Sequence, residues 1–75
     1  MSSDVTPQPI MIRVNGEPRN IPAELTIRQL LSELQVPADR VAVELDKRIV
    51  NKREWAATRL TAGAQLEIVQ FVGGG

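Results

Sequence analysis

Hydrophobic and polar residues alternate with two different periods along this chain, and each period predicts one type of element. The first apolar run, Ile10–Val14, is rich in β-branched residues and ends in the dipeptide Asn15-Gly16. Because both central positions of a type I′ turn need positive φ, this dipeptide favours a tight turn and therefore a β-hairpin. Glu17–Ile21 is the predicted return strand, and Pro18 within it favours a position at the edge of a sheet.

The next segment has the period of a helix. Its apolar residues follow the i, i+3, i+4, i+7 spacing of one buried helix face: Ile27, Leu30, Leu31 and Leu34. Thr26 and Gln29 stand at the two ends of a capping box, so the helix is expected to begin directly after Thr26. We expect it to end at Val36-Pro37, because the residue before a proline disfavours the helical backbone conformation.

Strand periodicity returns in the second half of the chain. Residues 41–45 (VAVEL) are predicted to form a strand with one face toward the core. The residues on that core face are Val41, Val43 and Leu45. Asp46-Lys47 is a predicted turn, and residues 48–50 form a short strand after it.

The last third of the chain is predicted to contain a short connection, a turn and one more strand. Residues 51–58 (NKREWAAT) indicate a short helical connection, in which Trp55 covers a small apolar cluster separate from the main core. Residues 61–63 (TAG) are a predicted turn, and residues 65–72 form the final strand. Three glycines follow, at residues 73–75.

This order of elements predicts the fold class. A hairpin, one main helix, a strand pair and a final strand that returns to the centre of the sheet describe an α+β fold of the β-grasp type. We expect a mixed sheet of four to five strands packed on the helix. Residues 1–9 are interpreted as a flexible leader, residues 10–72 as the β-grasp domain and residues 73–75 as a flexible C-terminal tail.

Composition narrows the chemistry that such a domain can perform. The 75 residues contain no His and no Cys, so the commonest general bases, metal ligands and nucleophiles are missing. Nine basic residues balance nine acidic ones, which argues against a nucleic-acid partner. No apolar run approaches the ~20 residues of a membrane span, and no secretory signal is recognisable. We therefore expect a cytoplasmic protein with no membrane contact and no bound metal.

The residues before the glycines point to a partner surface. On strand alternation, Leu66 and Ile68 face the core, which places Val69 and Phe71 on the outward side. Large apolar residues that face outward are typical of a surface that binds another protein. We assign Val69, Phe71 and the adjoining Val72 to partner binding.

The terminal glycines have no side chains to pack in a core, but they form a narrow segment that can extend away from the domain. Gly73 and Gly74 lack a Cβ atom, so they are predicted to thread a narrow tunnel in a partner protein. They would then present the α-carboxylate of Gly75 inside the partner's active site. That carboxylate is ionised at neutral pH and is a poor electrophile. It needs activation, most simply as a mixed anhydride with AMP.

Several stretches of the sequence match the pattern of a known family. They are residues 70–75 (QFVGGG), 12–17 (IRVNGE), 41–44 (VAVE), 49–50 (IV) and 53–55 (REW). Together they resemble the ThiS sulfur carriers of thiamine biosynthesis, and the resemblance covers roughly residues 10–75. Its most specific parts are the diglycine end, the strand before that end and the Val-Asn-Gly hairpin.

The resemblance implies a ubiquitin-like β-grasp protein that serves as a protein-bound substrate rather than as an enzyme. In that family, a ThiF-like adenylyltransferase uses ATP to convert the terminal glycine carboxylate to an acyl-adenylate. Sulfur that arrives as a persulfide from a cysteine desulfurase system then displaces AMP and gives a thiocarboxylate. A ThiG-like thiazole synthase takes this sulfur to build the thiazole ring. Carried over to this sequence, Gly75 is the thiocarboxylate site, and the carrier itself needs no cofactor.

Other functions stay open at this point. The small subunit of molybdopterin synthase shares the fold and the thiocarboxylate, but the prolines usual before its final glycines are absent here, which favours the thiamine branch. A ubiquitin-like modifier joined to lysines of target proteins would use the same terminus. A non-covalent β-grasp binding module would not need a free Gly-Gly end. An enzyme is least favoured, because no spacing of Asp and Glu places two carboxylates in one cleft.

Overall fold

Five strands form one mixed sheet in the part of the chain that the computed structural model describes, residues 8–71. In chain order they are β1 (Ile10–Val14), β2 (Glu17–Ile21), β3 (Val41–Leu45), β4 (Arg48–Val50) and β5 (Gln65–Gln70). The helical elements are one α-helix, α1 (Ile27–Glu33), and two 3₁₀ turns, Ala38–Arg40 and Lys52–Glu54. The expected leader, residues 1–9, lies mostly outside the described residues, and the expected tail, residues 73–75, lies wholly outside them.

The strand order produces the β-grasp topology. The order is β2-β1-β5-β3-β4, so the last strand of the described chain lies in the centre of the sheet. β5 is parallel to β1 and antiparallel to β3, and the hairpins β1–β2 and β3–β4 flank it on either side. A mixed five-stranded sheet with one α-helix confirms the predicted fold class.

Each hairpin closes through two residues with positive φ. In the β1–β2 hairpin they are Asn15, with φ 52°, and Gly16, with φ 85°. In the β3–β4 hairpin they are Asp46, with φ 51°, and Lys47, with φ 71°. Paired positive φ values are those of a type I′ turn, so both predicted turns are confirmed. β2 is an edge strand, as Pro18 predicts.

The helix begins where the sequence predicts. The Thr26 hydroxyl accepts a hydrogen bond from the Gln29 backbone N–H at 3.1 Å. In return, the Thr26 backbone N–H donates to the side-chain oxygen of Gln29 at 2.9 Å. These two bonds complete the predicted capping box and satisfy two backbone donors at the start of α1.

The helix ends before Val36-Pro37, because a backbone motif stops it first. Gln35 has φ 59°, and its N–H donates to the Ser32 carbonyl at 3.1 Å. The Val36 N–H donates to the Leu31 carbonyl at 3.0 Å, and the two bonds together form a Schellman motif. A residue in the left-handed conformation therefore ends α1 upstream of the proline that was expected to do so.

The buried side chains form one cluster between the sheet and α1. They are Ile12, Ile21, Leu25, Ile27, Leu30, Leu31, Val41, Val43, Trp55, Leu60, Ala64 and Leu66. The predicted helix face is buried except for Leu34, which packs partly buried against the cluster. Leu45 of β3 packs in the same way, so the predicted core faces of the helix and of β3 are confirmed.

Trp55 belongs to this main core, and the prediction of a separate cluster beneath it was wrong. Its side chain is buried, and the indole N–H donates to the Val50 carbonyl at 2.9 Å. The Trp55 carbonyl accepts a bond from the Arg28 N–H at 3.2 Å, which brings the segment against the start of α1. The helical part of this connection is the 3₁₀ turn Lys52–Glu54, shorter than the sequence predicts.

Candidate functional site

β5 is the strand that leads to the C-terminal glycines, and its side chains alternate between the core and solvent. Leu66 is buried and Ile68 packs partly buried against the core, which confirms the predicted inward face. Val69 and Phe71 are each 55% exposed. Both residues that the sequence assigns to partner binding therefore present apolar surface to solvent, as the alternation of a strand predicts.

The backbone beneath these two side chains is hydrogen-bonded on its β3 side. Val69 lies opposite Ala42 in the antiparallel pair. β5 ends at Gln70, yet the Phe71 N–H still donates to the Arg40 carbonyl at 2.7 Å. The exposed side chains are thus carried by the end of a central, hydrogen-bonded strand, so their apolar surface is fixed relative to the core.

On its β1 side, β5 is bound by a side chain as well as by backbone. The Asn15 backbone N–H donates to the Leu66 carbonyl at 2.8 Å. Farther along, the Asn15 side-chain oxygen accepts a bond from the Ile68 N–H at 2.7 Å, and its amide nitrogen donates to the Ile68 carbonyl at 3.3 Å. Sequence reasoning assigned Asn15 to the turn alone and missed this second role.

The outward face of the sheet carries further apolar residues. Ile49 is 74% exposed and lies opposite Glu44, which in turn lies opposite Glu67 of β5. Directly opposed residues of neighbouring strands share a face, so these three lie on the face that carries Val69. Met11 of β1 is also exposed, at 51%. Ile49 and Met11 were not among the predicted partner-binding residues, although strand alternation in β4 and β1 was sufficient to place them outward.

An ion pair lies next to the residue that binds the Phe71 backbone. Asp39 precedes Arg40 in the first 3₁₀ turn, and its carboxylate pairs with the Lys52 ammonium of the second. The hydrogen bond from Lys52, together with its positive charge, holds the pKa of Asp39 below its usual value. This surface pair therefore joins the two 3₁₀ turns beside the end of β5.

The remaining residues assigned to the site are Val72, Gly73, Gly74 and Gly75, and all four lie outside the described residues. Within residues 8–71, no group of three or more His, Cys, Asp or Glu side chains is arranged to hold a metal ion. No helix in this part of the chain has the length and apolar character needed to cross a membrane. What the described residues provide is an exposed apolar surface beside the last strand.

Comparison with known proteins shows what the chain is similar to. The model of the ThiS family matches residues 12–75. The crystal structure of the thiamine biosynthesis protein ThiS from Geobacter metallireducens superposes with a TM-score of 0.78 at 33% sequence identity. That match covers 88% of this chain and 100% of the solved one. The likeness therefore extends over the whole five-stranded domain.

Two similar curated proteins are much longer than this chain. The thiazole synthase of Paramagnetospirillum magneticum is 47% identical over 62 residues, which are 83% of this chain and 19% of that protein. The thiazole synthase of Magnetococcus marinus is 41% identical over 64 residues, which are 85% of this chain and 20% of that protein. The chain thus spans about a fifth of the length of these relatives.

Proposed function

This chain belongs to the ThiS family, and on that basis we propose that it acts as a sulfur carrier in thiamine biosynthesis. The proposed reactive group is the α-carboxylate of Gly75, which Gly73 and Gly74 deliver to partner enzymes. In this proposal residues 10–72 are the docking domain, and residues 1–9 are a flexible leader outside that domain. The carrier is a substrate of its cytoplasmic partners and performs no catalysis itself.

The proposed activation makes an inert carboxylate reactive. An oxygen of the Gly75 carboxylate attacks the α-phosphorus of ATP on a ThiF-like adenylyltransferase, pyrophosphate leaves, and an acyl-adenylate forms. A persulfide sulfur from a cysteine desulfurase system attacks the acyl carbon and expels AMP. A thiol then cleaves the acyl disulfide by two-electron reduction, which releases the thiocarboxylate and joins that thiol to the donor in a disulfide. The two electrons of this reduction therefore come from thiols of the partners.

The position of β5 is the observation that carries the proposal. The strand that precedes the glycines is central in the sheet, and the outward residues at its end, Val69 and Phe71, are exposed. An apolar surface on a firmly paired strand suits docking to a protein, with Val72 proposed to extend that surface. The chain contains no His and no Cys, so this proposal assigns the catalytic groups to the partners.

The acceptor of the sulfur is proposed to be a ThiG-like thiazole synthase. Both relatives named thiazole synthase contain a segment similar to this chain, and that segment makes up only about a fifth of each polypeptide. A sulfur donor meets its acceptor more often when both are in one polypeptide, because each then has a higher effective concentration near the other. This arrangement in the relatives supports the proposal that a thiazole synthase is the sulfur acceptor for the present chain.

Formation of the acyl-adenylate tests the proposal. The full 75-residue chain is incubated with a ThiF-like adenylyltransferase, ATP and labelled pyrophosphate, and label incorporated into ATP is measured. We expect exchange with the full chain and none after deletion of Gly74 and Gly75, because the terminal carboxylate then belongs to Gly73 and lies two residues short of the proposed reactive position. Deletion of residues 1–7 is the matched control, and we expect it to leave exchange unchanged.

Exchange that is absent with the full chain, or that survives loss of the last two glycines, would contradict the proposal. Products of higher mass, joined through lysines of other proteins, would instead indicate a ubiquitin-like modifier. Sulfur delivered to a thiazole synthase supports the thiamine role, whereas sulfur delivered only to a pterin-forming synthase would support the molybdopterin role.

A further inference from the structure

We infer that Asn15 is a positioning residue for delivery of the C-terminal carboxylate. Its side-chain amide binds Ile68 and so fixes the half of β5 that lies nearer the C-terminal glycines. The inference rests on the proposed function, since it concerns how the carrier presents Gly75 to the adenylyltransferase. Asn15 acts through Ile68 and not on the reacting atoms, so it is not a catalytic residue. The residues in contact are separated by 53 positions in the chain.

The amide of Asn15 replaces a peptide group in the sheet. β1 pairs with β5 through Arg13 opposite Gln65 and Val14 opposite Leu66. The turn then begins, because Asn15 has φ 52° and its backbone leaves the direction of the strand. A side-chain amide has the same donor and acceptor pair as a peptide unit. By bonding both the N–H and the carbonyl of Ile68, it continues the ladder after β1 has ended.

The continuation matters because β5 is supported unequally on its two sides. On the β3 side, pairing extends to Val41 opposite Gln70 and to the Phe71 N–H. On the β1 side, backbone pairing of the described strands stops at Leu66. Ile68 precedes Gly75 by seven residues. The Asn15 amide therefore supplies support on the β1 side at the part of β5 that precedes the C-terminal residues.

The other hairpin provides an internal control. Asp46 occupies the same turn position as Asn15, with φ 51°. Its backbone N–H donates to the Gln65 carbonyl at 2.8 Å, and its carboxylate accepts a bond from the Gln65 N–H at 3.0 Å. Both turn residues thus bind β5 through their side chains, Asn15 on the half near the glycines and Asp46 at the opposite end.

Glycine substitution separates positioning from turn formation. Asn15→Gly and Asp46→Gly each remove the side-chain bonds, and each keeps a residue that adopts positive φ without strain. The full-length wild-type and variant proteins are compared in three measurements. These are amide hydrogen exchange at Ile68, thermal unfolding, and KM and kcat for adenylation by a ThiF-like adenylyltransferase.

We expect the Ile68 amide to exchange roughly three- to tenfold faster in Asn15→Gly, and KM for the carrier to rise by a similar factor with kcat unchanged. The adenylyltransferase must order the loosened strand when the carrier docks, and the free energy of this ordering weakens binding. It therefore raises KM and leaves kcat unchanged. Asp46→Gly should lower Tm comparably and leave KM at the wild-type value.

Three results would overturn the inference or its basis. Unchanged exchange at Ile68 in Asn15→Gly would show that the amide does not fix the strand. Equal KM values for the two variants would show a purely structural role for Asn15 and would leave the proposed function standing. Failure of the wild-type protein to be adenylated at all would refute the proposed function and the positioning role together.

Discussion

Glu44 and Glu67 lie directly opposite each other in the antiparallel pair of β3 and β5. Their strand positions put both side chains on the outward face, and neither takes part in the two ion pairs found within residues 8–71. Like charges in directly opposed positions destabilise a sheet. The fold thus carries two negative charges between the exposed side chains of Ile49 and Val69, at a cost in stability.

Removing one of these charges should stabilise the protein. We expect Glu67→Gln to increase the free energy of unfolding by about 0.2–1 kcal/mol at low salt and to raise Tm by about 1–8 °C. The gain should shrink as salt screens the repulsion. The control is Glu17→Gln, because Glu17 lies opposite Val14 and faces no like charge. Equal Tm changes in both variants would show that the opposed glutamates do not repel each other appreciably.

The exposed and buried residues of β5 should respond differently to truncation. Phe71→Ala is expected to change the free energy of unfolding by no more than about 0.5 kcal/mol, because the side chain is largely solvated. Leu66→Ala leaves a cavity in the core and should cost about 2–5 kcal/mol. Denaturant unfolding measures both values. Binding to the adenylyltransferase should weaken at least about tenfold in Phe71→Ala, as expected for an aromatic anchor.

A loss of stability in Phe71→Ala as large as that in Leu66→Ala would assign Phe71 to the core rather than to a docking surface. Unchanged affinity in a stably folded Phe71→Ala variant would remove Phe71 from the proposed interface. Val69→Ala, which truncates the other 55%-exposed residue, is the matched test of the same surface.

The second central position of the two hairpin turns is glycine in one and lysine in the other, and this difference predicts opposite effects of substitution there. Gly16 has φ 85° and a Cβ atom there would meet nothing within 4 Å, so Gly16→Ala should cost about 1 kcal/mol through backbone strain alone. Lys47 has φ 71° in the equivalent position, and Lys47→Gly should stabilise by about 0.5 kcal/mol. Chemical denaturation checks both signs, and destabilisation by Lys47→Gly would contradict the role given to positive φ.

Local sequence signals predicted the parts of this fold that depend on neighbouring residues. The Asn15-Gly16 turn and the Thr26 cap are decided within four residues, and both are found as expected. Gln35 was not expected to end the helix, because glutamine carries no strong preference for the left-handed conformation that it adopts.

Long-range contacts account for the features that the sequence did not predict. Trp55 belongs to the main core, and its carbonyl binds the N–H of Arg28, which is distant in the sequence, so no local pattern encodes this placement. The bonds between Asn15 and Ile68 depend equally on the parallel pairing of β1 with β5. At the candidate site, alternation alone predicted the exposure of Val69 and Phe71.

The ion pair of Asp39 and Lys52 predicts a small dependence of stability on pH. Lys52 holds the pKa of Asp39 below its usual value in the folded protein. The stabilisation is therefore fully present above the unfolded-state pKa of about 3.9 and is lost as pH falls through the lower folded value. The Tm difference between wild type and Asp39→Asn should be constant at neutral pH and disappear in strong acid. An NMR titration that gives Asp39 an ordinary or raised pKa would contradict this account.

The most direct test of the central claim is to locate sulfur on the C-terminal residue by mass spectrometry. The full chain is incubated with the adenylyltransferase, ATP and a persulfide donor, and then digested with trypsin. Residues 60–75 form one tryptic peptide without methionine, so methionine oxidation cannot imitate the exchange of oxygen for sulfur. We predict that every fragment containing Gly75 carries the added mass and that fragments lacking Gly75 do not. A Gly75 that remains a plain carboxylate in an active mixture would contradict the sulfur-carrier function.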